Sequence, residues 1–141
     1  IISSEAVLIY DDQREPSPRP HFLNDWLKNS HGNVSAIVDN NGMCHGFGRI
    51  RPCVLDDNEQ GWRIGPLLAD TPPLAELLIR ELVGDLDTQI LLDCSNLNPY
   101  ANYLLSSLGF EEISKTYRMY KGIQPSCPMN QVYGLACLEL G

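Results

Sequence analysis

A chain of 141 residues, 43% of them hydrophobic, is long enough for one domain with its own core and too apolar for a disordered tail. Ten basic residues against eighteen acidic ones leave a formal charge of −8, and Arg14, Arg19, Arg49, Arg51 and Arg63 form no basic tract, so no nucleic-acid partner is expected. Apolar runs are short, Ile90-Leu91-Leu92 among the longest, so no membrane partner is expected either.

The five cysteines, Cys44, Cys53, Cys94, Cys127 and Cys137, are odd in number and include no C-x-x-C pair. Neither a disulfide framework nor a zinc knuckle follows from that spacing, and scattered thiols suit a reducing, cytoplasmic compartment. The sequence opens at Ile1 with no Met and no signal-peptide pattern. This predicts one domain, 1–141, forming the C-terminal part of a longer protein.

Ala6-Val7-Leu8-Ile9-Tyr10 is a short, partly β-branched apolar run and predicts a buried strand. Pro16, Pro18 and Pro20 then impose an extended loop. Phe22, Leu23, Trp26 and Leu27 share one helical face, and Asn29 to Gly32 stops that helix. Val34 to Asp39 reads as a strand, Asn40-Asn41-Gly42 as a tight turn, and Met43 to Val54 as the return strand. A polar loop leads to a third strand, Trp62 to Leu68, which completes an antiparallel meander.

Thr71 and Pro72 suit the cap and first turn of a helix whose apolar stripe is Leu74, Leu77, Leu78 and Leu82. Gln89 to Cys94 is apolar almost throughout, as in a strand covered on both faces. Asn98 to Leu108 forms a second helix with Ala101, Leu104, Leu105 and Leu108 inward, and Gly109 is its left-handed C-cap. Glu112 to Tyr120 and Val132 to Leu140 read as two last strands around a Gly-Pro-rich loop. A helix between the third and fourth strands makes them parallel. The class is α/β (α+β), a mixed, mostly antiparallel sheet with a central parallel pair and flanking helices.

The order β, α, β-β-β, α, β, α, β-β resembles the GNAT (GCN5-related N-acetyltransferase) domain, with one helix instead of two before the meander. Pro66 and the pair Leu77-Leu78 stand where that family has a strand proline and the apolar pair of the next helix. Asn98, Ala101, Leu104, Gly109 and Phe110 match its later helix. The phrases FLNDWL, GFGRIRPC, IGPLLAD, RMYKG and YGLACLELG are similar to the second domain of tandem-GNAT acetyltransferases of the YitH/HolE type. The resemblance implies an upstream GNAT domain in the same chain, acetyl-CoA or another acyl-CoA as cofactor, and a small amine as acceptor. Leu67, Leu68, Ala69, Leu74 and Ala75 would then surround the cofactor through the strand end and helix N-terminus, with Asn98 reaching its arm or capping its own helix.

Two departures fall where that chemistry would act. Pro72 and Pro73 carry no amide hydrogen, and each lost charge-assisted hydrogen bond to a pyrophosphate costs about 1.5–3 kcal/mol. Asp70 adds a negative charge there. Leu105 stands where the family often has a proton-donating Tyr, and Tyr103 is a weak substitute on another side of the helix.

Asp93, at the carboxyl end of the parallel strand, is the candidate general base, or else a solvated or capping carboxylate. Cys94 is a nucleophile or a buried thiol. His21, His31 and His45 have no ligand spacing and read as loop or surface residues. Arg49 and Arg51 share a strand face and would bind a substrate carboxylate or phosphate if that face lines a cleft. Three functions compete: an acyl-CoA-dependent acyltransferase, a non-catalytic GNAT-like domain serving an upstream catalytic one, and a homodimer formed through the C-terminal strands. Docking in the second would use a strand edge or apolar patch near Ile1 to Leu8.

Overall fold

The computed structural model describes residues 4–15, 19–29, 31–119, 121–124 and 126–136. The chain opens with helices α1 (Ser4–Asp12) and α2 (Pro20–Lys28). Strands β1 (Asn33–Val38), β2 (Cys44–Val54) and β3 (Gln60–Ala69) form the antiparallel meander. Helix α3 (Pro72–Val83) crosses to β4 (Ile90–Leu92), followed by α4 (Pro99–Ser107) and β5 (Val132–Gly134).

The predicted parallel pair is present, with Trp62, Arg63 and Ile64 of β3 opposite Ile90, Leu91 and Leu92 of β4. Further along β3, Leu67 and Leu68 pair antiparallel with β5. A single edge of β3 is thus divided between β4 and β5.

Two cores lie on opposite faces of this sheet. One packs Ile50, Ile64, Leu67 and Ala69 under α3 and α4, with Tyr133 from β5. The other packs Phe47, Leu68 and Val132 against Val7 and Tyr10 of α1 and Leu23 of α2.

The first element differs from its prediction. Ala6–Tyr10 is helical, and Val7, Tyr10 and Asp11 are buried at i, i+3 and i+4 while Ile9 faces out. Five apolar residues in a row contain no period, so burial on one helical side decided the outcome. Two helices therefore precede the meander, and residues 4–8 offer no strand edge for docking.

In α3 the buried side is Ala75, Leu78, Ile79 and Leu82, and Leu77 is exposed, so the apolar stripe is turned slightly from the predicted one. The fourth strand is shorter than predicted and only partly buried.

Residues 111–119 form no strand and are largely exposed. Their alternation of side chains sets a face but supplies no partner edge. Tyr120 and residues 137–141 lie outside the described residues. Of the predicted last strand, Val132–Gly134 pairs with the sheet.

Candidate functional site

The β3–α3 junction is where the resemblance places the cofactor cradle. Pro72 and Pro73 hold the first two positions of α3, and the Ala75 amide already donates to Thr71 O at 3.1 Å. Leu74 is therefore the one first-turn position of α3 with a backbone N–H not committed to the helix ladder. Thr71 caps by backbone shape alone, without a side-chain hydrogen bond.

Asp70 sits directly before this helix and is held from three directions. Its Oδ1 accepts from the Tyr10 hydroxyl at 2.7 Å and from Arg14 Nη2 at 2.9 Å. Its Oδ2 lies 2.8 Å from His45 Nδ1. The other ring nitrogen of His45 lies 2.8 Å from Asp39 Oδ2. An imidazole between two carboxylates donates from both nitrogens only when protonated.

Hydrogen bonds to Asp39 and then Asp70 raise the pKa of His45. The His45 bond lowers Asp39. Burial works against ionising Asp70, but His45, Tyr10 and Arg14 together bring its carboxyl below the ordinary range. Burial, then the bond to Asp70, pushes the Tyr10 phenol far up. The sequence reading had Asp70 only as a stray charge and His45 as a surface residue. Tyr10, Arg14 and Asp39 carried no local signal.

The cleft that two parallel strands open at their carboxyl ends is the usual ligand position in such a sheet. Here the segment Val132–Ala136 runs through it. Leu135 N–H donates to Asp93 O at 2.8 Å. At Gly65 a β-carbon would stand 2.1 Å from Leu135 O, so only glycine permits this approach. Leu67, Leu68 and Ala69 are fully buried, with β2 on one side and, at Leu67 and Leu68, β5 on the other.

Asp93 is brought to the strand end as predicted, but its Oδ2 is ion-paired with Arg63. Cys94 is half-buried, with its thiol raised by burial and by Asp93. Asn98 is fully buried, and its Oδ1 accepts from the amides of Tyr100 and Ala101 at 3.0 and 3.2 Å. Its Nδ2 donates to Val132 O at 2.9 Å, so its side chain ties α4 to β5. At the other end of α4, Gly109 has φ 89°, and Gly109 N and Phe110 N bond to Ser106 O and Leu105 O. Leu105 is buried, and Tyr100 and Tyr103 face outward. Tyr133, which no sequence signal marked, is buried beside Asn98, and burial raises its phenol while its contact with the Asn98 side chain offsets part of that rise.

Arg49 and Arg51 come together, each guanidinium 4.8 Å from the ring centre of Trp26 on α2. Trp26 Nε1 and Arg51 Nη1 both donate to Gly65 O at 3.3 Å. Phe22 stacks on Trp26 with ring centres 5.3 Å apart. Arg49 is 1% exposed, and burial followed by the charge of Arg51 draws its pKa down.

Comparison with known proteins fits the fold to a family. Over 139 residues the chain is 27% identical to holothin acyltransferase from Pseudoalteromonas sp. (strain SANK 73390), covering 97% of this chain and 45% of that protein. The chain thus spans less than half the length of this curated relative. The aminoglycoside antibiotic 6'-N-acetyltransferase of Acinetobacter baumannii superposes with a TM-score of 0.58 at 11% identity, over 86% of this chain and 92% of the other. Glucosamine-6-phosphate N-acetyltransferase of Arabidopsis thaliana gives 0.57 at 14% identity, over 82% and 87%. Both show likeness of fold. The acetyltransferase (GNAT) domain family matches residues 7–134, and the chain belongs to that family.

Proposed function

We propose that this GNAT domain does not itself hold acyl-CoA and serves as the acceptor-recognising half of a longer acyl-CoA-dependent acyltransferase. The observation that carries this reading is the segment Val132–Ala136 lying in the cleft between β3 and the end of β4. The family's chemistry uses an acyl-CoA, and the residues present do not fit that group. The helix start lacks two amides at Pro72 and Pro73, and the Asp70 carboxylate stands beside it. A diphosphate arriving there meets a fixed negative charge whose compensating cations are already engaged.

Proton transfer finds no better provision. Oδ2 of Asp93 is engaged by Arg63, Cys94 is a protonated thiol, and Leu105 has no proton to give. The relative's name and its greater length support an acyltransferase whose chemistry lies in another domain of a longer chain. Free thiols at Cys44, Cys53, Cys94 and Cys127 support a reducing, cytoplasmic setting.

Calorimetric titration of acetyl-CoA into the 141-residue chain tests this. The expected result is no heat of binding up to millimolar ligand. Saturable binding at micromolar concentration would overturn the reading, because the cleft would then open for the cofactor.

A further inference from the structure

Arg49 is a buried cation with nothing anionic beside it among the described residues. Its Nη2 donates to His31 O at 2.8 Å, but Nε and Nη1 are sealed from solvent and have no hydrogen-bond partner among the described residues. Leaving a charged donor unpaired in a protein interior costs far more than leaving a neutral one. The ring of Trp26 offsets part of that cost, and Arg51 at the same distance adds a second positive charge. In a chain of net charge −8, two adjacent guanidiniums against one indole, with no carboxylate bonded to Arg49, is the arrangement of a receptor awaiting its anion.

The chemistry favours an oxyanion. Guanidinium N–H groups match carboxylate and phosphate oxygens, and the indole supplies a flat apolar wall for whatever carries them. The Trp26 ring packs against both guanidiniums and Arg49 is 1% exposed, so a ligand that reaches Arg49 must displace a neighbouring side chain. We propose that Arg49, Arg51 and Trp26 form a subsite for a carboxylate or phosphate group. That the group belongs to the acyl acceptor rests on the reading of this domain as the acceptor-recognising half. Arg49 supplies the unpaired donors, Arg51 the second charge, and Trp26 the cover.

The chain has two tryptophans, so a Trp62→Phe variant makes Trp26 the sole indole. Succinate and inorganic phosphate are titrated into it separately, with sodium chloride at matched ionic strength as control. A saturable change in Trp26 fluorescence is expected with at least one oxyanion and not with chloride. The more effective of the two identifies the group. Adding Arg49→Met weakens the response by about tenfold or more, with the circular dichroism spectrum unchanged. Should that variant fail to fold, Arg49→Lys, which keeps the charge and loses the fork, is expected to weaken it several-fold. No saturable response with either oxyanion, or an equal response in the Arg49 variant, overturns the proposal. The calorimetric result separates the two readings. Micromolar acetyl-CoA binding that persists in Arg49→Met removes the acceptor role and leaves the subsite standing. Absent acetyl-CoA binding with no oxyanion response removes the subsite alone.

Discussion

Asp70 and Arg49 lie on the same face of the sheet, and their surroundings are opposite. Both oxygens of Asp70 are engaged, by Tyr10 of α1, Arg14 of the turn that follows α1, and His45 of β2. Arg49 is more deeply buried, yet two of its three guanidinium nitrogens have no partner among the described residues. A satisfied charge network fixes the elements that contribute to it, and an unsatisfied one leaves a demand that a ligand can meet. The first arrangement joins the helical hairpin to the β3–α3 junction. The second leaves chemistry to be supplied from outside.

The largest effect should come from breaking the satisfied network. Asp70→Ala leaves Arg14 and His45 facing each other without their shared carboxylate. Breaking a deeply buried pair costs about 3–5 kcal/mol, but the Asp70 side chain is 29% exposed, so about 1–2 kcal/mol is expected here. Urea denaturation monitored by circular dichroism measures this. An unchanged midpoint would mean that α1 is held by its apolar contacts alone. Acetyl-CoA binding is not expected to appear in this variant, because Val132–Ala136 still fills the cleft.

Much of the fold was legible because its signals are local. Gly42 at φ 80° closes the turn after Asn40-Asn41, and Gly109 ends α4 as its position predicted. Asn98 was read as a cofactor ligand or a cap, and its oxygen is engaged in capping. The parallel pair followed from the helix that crosses between its two strands. The site was less legible because its contacts are distant in sequence. Tyr10 and Arg14 precede Asp70 by 60 and 56 residues, and His45 by 25, so no motif links them. The predicted last-but-one strand is absent over residues 112–119 for a similar reason, since local sequence does not reveal whether an edge is vacant. Ala6–Tyr10 failed because a short apolar run suits either element.

A smaller effect should follow pH through His45. Its folded pKa is raised from 6.5, first by the bond to Asp39 and then by that to Asp70. The folded state therefore binds this proton more tightly than the unfolded chain. That contribution is full below about pH 6.5 and is lost as pH climbs through the raised value. Asp39 and Asp70 are lowered from 3.8, so their contributions are present above that value and are lost as pH falls through the lowered ones. Melting temperature should thus decline from pH 6 toward 9, and His45→Gln should flatten that decline. The same slope in the variant would show that the imidazole is not the bridge between the two carboxylates.

The smallest expected change is the most telling about the other half of the contrast. Arg49→Met removes a guanidinium that no acidic group among the described residues balances and puts an apolar chain of similar reach against Trp26. A buried charge with a good partner is costly to remove, whereas one without a partner is a burden in the unliganded state. The unliganded chain should therefore lose no stability, and a gain of up to about 1 kcal/mol is expected by thermal denaturation. Lost stability of about 2 kcal/mol would instead mean that Arg49 is a structural cation, satisfied by Trp26 and the His31 carbonyl. Adding the oxyanion should reverse the order, stabilising the Arg49 chain and leaving the Met variant unmoved, because only a ligand that prefers the folded state shifts unfolding. That crossing of the two melting curves distinguishes a binding residue from a packing residue, which neither curve does by itself.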